Sequence, residues 1–334
     1  MRVCIIGAGA IGGFIGARLA AAGQAQVSAL ARGATLQALS QHGWRLRQGG
    51  ALLQTPARAS DDAAVLGVQD LVIIAVKGPA LSAVAGSIAP LLGPRTRVMP
   101  AMNGVPWWFG QSVPAIGSEG LHSVDPDGSI GRAIDTRRVV GCVVHASTLS
   151  IEPGFVQHRM GQGLVVGEPG GGRSDAVQAL ADLLTHAGFE LTHSADIRRD
   201  VWYKLWGNMT MNPVSAITGA TADLILGDPL VRAFNSAAMR EAAAIGALLG
   251  CPIEQSPEDR HAITARLGAF KTSMLQDVEA GKTIELESIV GAVRELGQRL
   301  GVSLPSIDAL YGLTRLFGQV HGLLPAPAAG HKQP

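Results

Sequence analysis

The chain has 334 residues, enough for two domains, and 47% of them are hydrophobic while only 4% are aromatic, so the core is expected to be built from Ala, Val, Leu and Ile. A formal net charge of +1 argues against a polyanion-binding surface, and the longest apolar runs, such as residues 71–76, are strand-length and too short to span a bilayer. Cys4, Cys142 and Cys251 show no paired spacing, so neither a disulfide framework nor a zinc site is expected, and a cytoplasmic setting is the expectation.

Residues 3–6 form an apolar strand that runs into Gly7-Ala8-Gly9-Ala10-Ile11-Gly12, then an alanine-rich helix over 12–22 and a second strand over 27–30. The spacing of Gly7, Gly9 and Gly12 is the dinucleotide-binding pattern in its strand–turn–helix context. Gly7 permits the tight turn, Gly9 lets a pyrophosphate approach the backbone, and Gly12 lets the helix pack on the strand. The amides at Ala10 and Ile11 open the helix, whose N-terminus favours phosphate. No Asp or Glu occurs before Asp61, and Arg32 stands where an NAD-preferring site carries an acid. A guanidinium there suits the 2′-phosphate of NADP.

Further strands are expected over 71–76 and 98–102, with helices over 34–41 and 80–92 between the strands: the rhythm of a doubly wound parallel sheet. Residues 44–54 read as a hairpin turning at Gly49-Gly50. Residues 139–150 and 155–166 read as antiparallel strands around Glu152-Pro153-Gly154 that extend the sheet. A helix over 174–186 and an edge strand over 188–192 follow. Beyond Asp196 helical periodicity dominates. Helices are expected over 196–211, stopped near Pro213, over 229–249, from the cap at Ser256 to about Glu279, and over 285–300. The expected organisation is α/β: an N-terminal Rossmann-type dinucleotide-binding domain over 1–194, an all-α domain over 195–324, and a disordered tail over 325–334.

Lys204, Asn208 and Asn212 recur every four residues and so share one helix face. Set among Trp202, Tyr203, Leu205, Trp206 and Met209, they suit a general acid with two amides that orient a carbonyl substrate. A solvated helix face is the equally weighted alternative. Asn103-Gly104 and Lys77 follow strand ends, where ligands bind in open α/β sheets, although Asn-Gly is also an ordinary turn. Ser273 is a candidate to meet a substrate carboxylate and Glu285 to meet Lys204 or a cofactor hydroxyl; taken alone, each fits a routine surface or capping role. His122, His145 and His158 lack metal-ligand spacing and read as structural.

These residues resemble the ketopantoate reductases (2-dehydropantoate 2-reductases) over nearly the whole chain. The carriers are the glycine turn, Arg32, Lys77, Asn103-Gly104, Trp202-Tyr-Lys204-Leu-Trp-Gly-Asn208, Asn212-Pro213, Ser273-Met-Leu-Gln-Asp277 and Glu285. The resemblance implies reduction of 2-dehydropantoate to pantoate with NADPH, on the route to pantothenate and coenzyme A. It implies Lys204 as catalytic acid, Asn208, Asn212 and Ser273 as substrate ligands, and Asn103 at the nicotinamide and substrate. Glu285 would order the cofactor or Lys204, in a cleft between the two domains. The expected partners are a small 2-oxo acid and, in a homodimer, a second copy of the chain, with neither nucleic acid nor membrane. Three departures bear on the substrate. Thr221-Ala222-Asp223 and Ser288-Ile-Val290 stand where the family often carries Asn, and Val105-Pro106-Trp107-Trp108 follows Asn103-Gly104. The two tryptophans are expected to reshape the pocket and exclude water. The alternatives are a related reductase of a bulkier carbonyl substrate and a non-catalytic NADP-binding sensor, which has no need of Lys204.

Overall fold

The computed structural model describes residues 1–111, 113, 116–117 and 120–324; the tail expected over 325–334 lies outside the described residues. The chain divides into two compact units. One comprises Met1–Gly120 and Asp125–Val201; the other comprises Leu121–Val124 and the chain from Trp202.

The first unit is built on two sheets. Strands β1 (Arg2–Ile6), β2 (Gln26–Leu30), β5 (Arg58–Ser60), β6 (Gln69–Ile74) and β7 (Leu92–Pro100) form an all-parallel sheet of order β5-β2-β1-β6-β7. The central strands β1 and β6 are short, apolar and largely buried, as a sheet covered on both faces requires. The order reverses at β1, so the crevice outside its carboxyl end is the switch point at which such sheets bind ligands.

The second sheet is a correction to the sequence reading. Strands β8 (Gly141–Glu152) and β9 (Phe155–Gly167) pair antiparallel as expected, but do not extend the first sheet. β9 instead pairs in parallel with β3 (Trp44–Gln48) of the hairpin, which β4 (Ala51–Thr55) completes, and with β10 (Glu190–His193). The bridge Val98↔Val139 and the bond from Val140 N to Val98 O join β7 of the first sheet to the residues that lead into β8.

The physical reason lies on the helix Ala10–Ala22, which is thin enough to be covered on two sides. A Cβ on Gly12 would overlap the Gly7 carbonyl oxygen, so that side lies against the first sheet. On Gly13 a Cβ would come 2.6 Å from Val156 Cγ2 of β9, and on Gly16 2.5 Å from the Trp44 ring of β3. One run of glycines thus serves the turn after β1 and then seats the second sheet.

Between β6 and β7 the single helix expected over 80–92 is broken. A 3-10 turn at Gly78–Ala80, a short helix at Leu81–Ala85 and another 3-10 turn at Ala89–Leu91 replace it, with Gly86 at the end of the short helix and Pro90 inside the second turn.

The second unit is helical, as expected, with two further corrections. The helix Ile197–Thr218 does not stop at Met211 but carries Pro213 inside it. Proline removes one amide donor, and side chains tie the turns around it: Ser215 Oγ donates to Asn212 O, and Thr218 Oγ1 to Val214 O. The segment from Ser256 is two helices, Pro257–Ala265 and Ser273–Glu279. Gly268, at φ +62°, ends the first, and Thr272 caps the second by accepting from Leu275 N. Helices Ala222–Gly227, Pro229–Leu248, Ala292–Arg299 and Pro305–Val320 complete the unit. No helix among the described residues is long and apolar enough to cross a membrane. Cys4, Cys142 and Cys251 are buried and form no disulfide among the described residues, and burial pushes the Cys4 thiol up to about 11.

Candidate active site

In the first unit four candidate residues lie at the carboxyl ends of neighbouring strands. Arg32 follows β2 and precedes the helix Gly33–His42, Gly7 to Gly12 follow β1, Lys77 follows β6 and Asn103 follows β7. The strand order therefore sets them in a row, with Arg32 and Asn103 three strand spacings apart, about 14 Å. Arg32 is exposed and its guanidinium makes no ion pair among the described residues. Lys77 and Asn103 are half-buried.

The three glycines divide their roles. Gly7 sits at φ +86°, and a Cβ there would be 2.6 Å from Val76 Cγ1. Gly12 is held against the Gly7 carbonyl. Around Gly9, by contrast, a Cβ would meet nothing within 4 Å. Its backbone is extended, at φ −82°, and as N-cap it supplies no side-chain hydrogen bond to the helix. The protein's own packing does not require glycine at this position. Open space beside uncapped helix amides is what a pyrophosphate needs, so the turn fits a dinucleotide.

The two tryptophans after Asn103-Gly104 are buried. Trp107 and Trp108 are each 1% exposed, and Trp108 packs where a Cβ on Gly141 would stand 3.1 Å from its ring. Both indoles belong to the core of the first unit because they offer far more apolar area than the small residues around them.

In the second unit the helix Ile197–Thr218 presents Lys204, Asn208 and Asn212 along one face. Trp202 and Trp206 fix its rotation. Each is two residues from Lys204, about 200° round the helix, and thus on the opposite side. Trp202 Nε1 donates to Ala242 O at 3.3 Å and Trp206 Nε1 to Met239 O at 2.7 Å, both on the helix Pro229–Leu248. Lys204 and Asn208 are half-buried and Asn212 is 4% exposed. The Asn212 Nδ2 donor is buried without a partner. An orphaned donor costs about 1–3 kcal/mol, which an acceptor on a bound ligand would recover.

Ser273 is brought to the same helix by contacts the sequence did not announce. Ser215 Oγ and Thr272 Oγ1 lie 2.5 Å apart, and Ser215 also donates to the Asn212 carbonyl. Thr272 thereby ties the exposed Ser273 to the turn bearing Asn212. The available signal was Thr272 itself, a cap residue immediately before Ser-Met-Leu-Gln. Glu285, 9% exposed, stands two residues before a π turn over Glu287–Gly291, where a plain helix was expected. His158 stacks on Phe14, with centroids 5.0 Å apart, and is structural as read.

A parallel sheet with a glycine turn at its switch point, joined in one chain to a helical unit with a lysine–asparagine face, defines a nicotinamide-dinucleotide oxidoreductase. A sequence model described as "Ketopantoate reductase PanE/ApbA" matches residues 3–171, and "Ketopantoate reductase PanE/ApbA C terminal" matches residues 196–317. A 2-dehydropantoate 2-reductase of Mesorhizobium japonicum is 42% identical over 324 residues, 96% of this chain and 99% of its own. A Ralstonia solanacearum structure described as a ketopantoate reductase superposes with a TM-score of 0.93 at 55% identity, over 96% of this chain and 99% of its own. The fold is shared more widely: a D-mandelate dehydrogenase structure with NADH and anilino(oxo)acetate has a TM-score of 0.83 at 20% identity, over 97% of this chain and 100% of its own. The chain belongs to the ketopantoate reductase family.

Proposed function

We propose that this chain reduces 2-dehydropantoate to pantoate with NADPH. The single observation that carries the reading is the Lys204–Asn208–Asn212 face, held in place by two buried indoles and ending in an unpartnered buried amide. When bound, the dihydronicotinamide supplies a hydride to the C2 carbonyl carbon of the 2-oxo acid. Lys204 holds a proton for the carbonyl oxygen and releases it as negative charge develops there. Asn208 and Asn212 donate to the substrate's oxygens and hold its carbonyl in register with the ammonium. Ser273 donates to the carboxylate. Glu285 orders Lys204 or a cofactor hydroxyl. The Gly7–Gly12 turn receives the pyrophosphate, Arg32 the 2′-phosphate, and Lys77 and Asn103 the nicotinamide half.

The first unit thus serves as the cofactor domain and the second as the substrate domain. Ketopantoate is the substrate favoured, supported by the 42% identical 2-dehydropantoate 2-reductase, while Thr221-Ala222-Asp223 and Ser288-Ile-Val290 keep a bulkier carbonyl substrate as the alternative. Following NADPH oxidation against a panel of 2-oxo acids tests it. Ketopantoate is expected to give the highest kcat/KM, and turnover of another acid with none of ketopantoate would overturn the assignment.

A further inference from the structure

The π turn after Glu285 is built by side chains outside the assigned site. The Ala292 amide reaches back five residues to the Glu287 carbonyl, which marks the turn. Such turns are rare, and they persist where surrounding contacts over-determine them. Here those contacts can be named. The Glu287 carboxyl group folds back over Gly291, where a Cβ would overlap its Oε2 and stand 3.4 Å from the Tyr311 ring. The Tyr311 hydroxyl, from the helix Pro305–Val320, donates to Glu287 Oε1 at 2.8 Å. The Tyr311 ring is itself held by Arg294 and Arg315, whose guanidinium carbons lie 5.4 and 5.6 Å from its centroid. Arg294 is fixed in turn by Asp308.

The turn reaches Glu285 through its backbone. The Glu285 carbonyl accepts from Ile289 N at 3.2 Å, inside the turn, and from Ser288 Oγ at 3.5 Å. A change in the turn's winding would therefore rotate Glu285.

We propose that Glu287, Gly291 and Tyr311 are positioning residues for the reductase, holding the π turn that aims Glu285. The inference rests on the assignment of Glu285 to the reaction. Supporting it, burial and the neighbouring Glu287 push the Tyr311 hydroxyl up to about 12, so it stays a donor throughout the working pH range.

The test compares kcat, KM, NADPH affinity and melting temperature in the full-length enzyme. Tyr311→Phe and Glu287→Ala are each expected to lower kcat about tenfold, the size of one lost hydrogen bond. KM and the NADPH Kd should stay within about twofold and Tm within about 3 °C. Glu287→Gln, whose amide oxygen can still accept from Tyr311, should restore kcat. Should Glu287→Ala fail to fold, Gly291→Ala displaces the same carboxyl group and should give the same loss. A fall in Tm with kcat unchanged would overturn the proposal, as would failure of Glu287→Gln to rescue. Glu285→Gln separates the two layers. If it lowers kcat while the turn variants do not, only the positioning role falls; if it leaves kcat unchanged, the assignment of Glu285 falls and the proposal with it.

Discussion

Replacing Gly9 with alanine should separate cofactor binding from folding. A Cβ at this position meets no atom within 4 Å, and φ of −82° with extended ψ is open to alanine. Two small terms act on the apoprotein. Alanine is a poorer N-cap than glycine by some tenths of a kcal/mol, while the stiffer unfolded chain returns about 0.4–1 kcal/mol. They nearly cancel, so Tm should move by no more than about 3 °C. On the proposed reading, the new methyl stands where the pyrophosphate of the bound cofactor would touch backbone. Losing that approach should raise the NADPH Kd at least about tenfold, or 1.4 kcal/mol. Gly12→Ala is the contrasting control. Its Cβ would overlap the Gly7 carbonyl oxygen and lie 3.0 Å from the Ala75 Cβ, both on rigid elements. That overpacking should cost about 1–3 kcal/mol of stability before any ligand is added. Thermal unfolding and fluorescence titration with NADPH read both variants. A Gly9→Ala protein that bound NADPH within twofold of wild type would refute the idea that the open space receives a phosphate.

Arg32→Ala should weaken NADPH binding about tenfold or more while leaving NADH nearly unchanged, and equal losses for both in titration would remove the 2′-phosphate assignment. Lys204→Ala should lower kcat by about 10²–10⁴ with NADPH affinity retained; a near-normal kcat in steady-state assays would remove Lys204 as the catalytic acid. The Glu295 carboxylate accepts from His122 N at 2.9 Å, Ser123 N at 2.8 Å and Ser123 Oγ at 2.6 Å, pinning the segment Leu121–Val124. Burial alone would raise its pKa, but these bonds and Arg299 outweigh it and hold the group below the usual range. A depressed carboxylate stabilises the fold above its unfolded pKa, about 4.3, and the contribution is lost as pH falls through the lower folded value. Urea unfolding should therefore show Glu295→Gln destabilised near pH 7, with its difference from wild type shrinking below about pH 4. A pH-independent difference would contradict the assignment.

Much of the candidate site was legible because its signals are local. Gly7, Gly9 and Gly12 act within one turn, and Lys204, Asn208 and Asn212 need only the helical repeat to share a face. Strand ends placed Lys77 and Asn103 at the edge where open sheets bind ligands. What escaped depended on partners distant in sequence. The tie from Ser215 to Thr272 spans two helices, and the Glu287–Tyr311 bond that accompanies the π turn joins residues 24 positions apart. Nothing periodic marks either. Pro213 misled for a related reason: proline's local preference is to end a helix, and side-chain bonds from Ser215 and Thr218 around it were invisible in the sequence.

By itself the sequence determined the α/β class, the nucleotide turn, the basic residue after the second strand and the polar face of the long helix, since each follows from residue type at short spacing. Tertiary structure decided the rest. It folded β8 and β9 into a separate sheet, because Gly13 and Gly16 opened one side of the first helix to Val156 and Trp44. It drew Trp107 and Trp108 into the core, and left Gly9 facing open space while Gly7 and Gly12 were consumed by packing. Which glycine serves the ligand and which serves the fold depends on what stands opposite each one, and only the folded chain brings those atoms together.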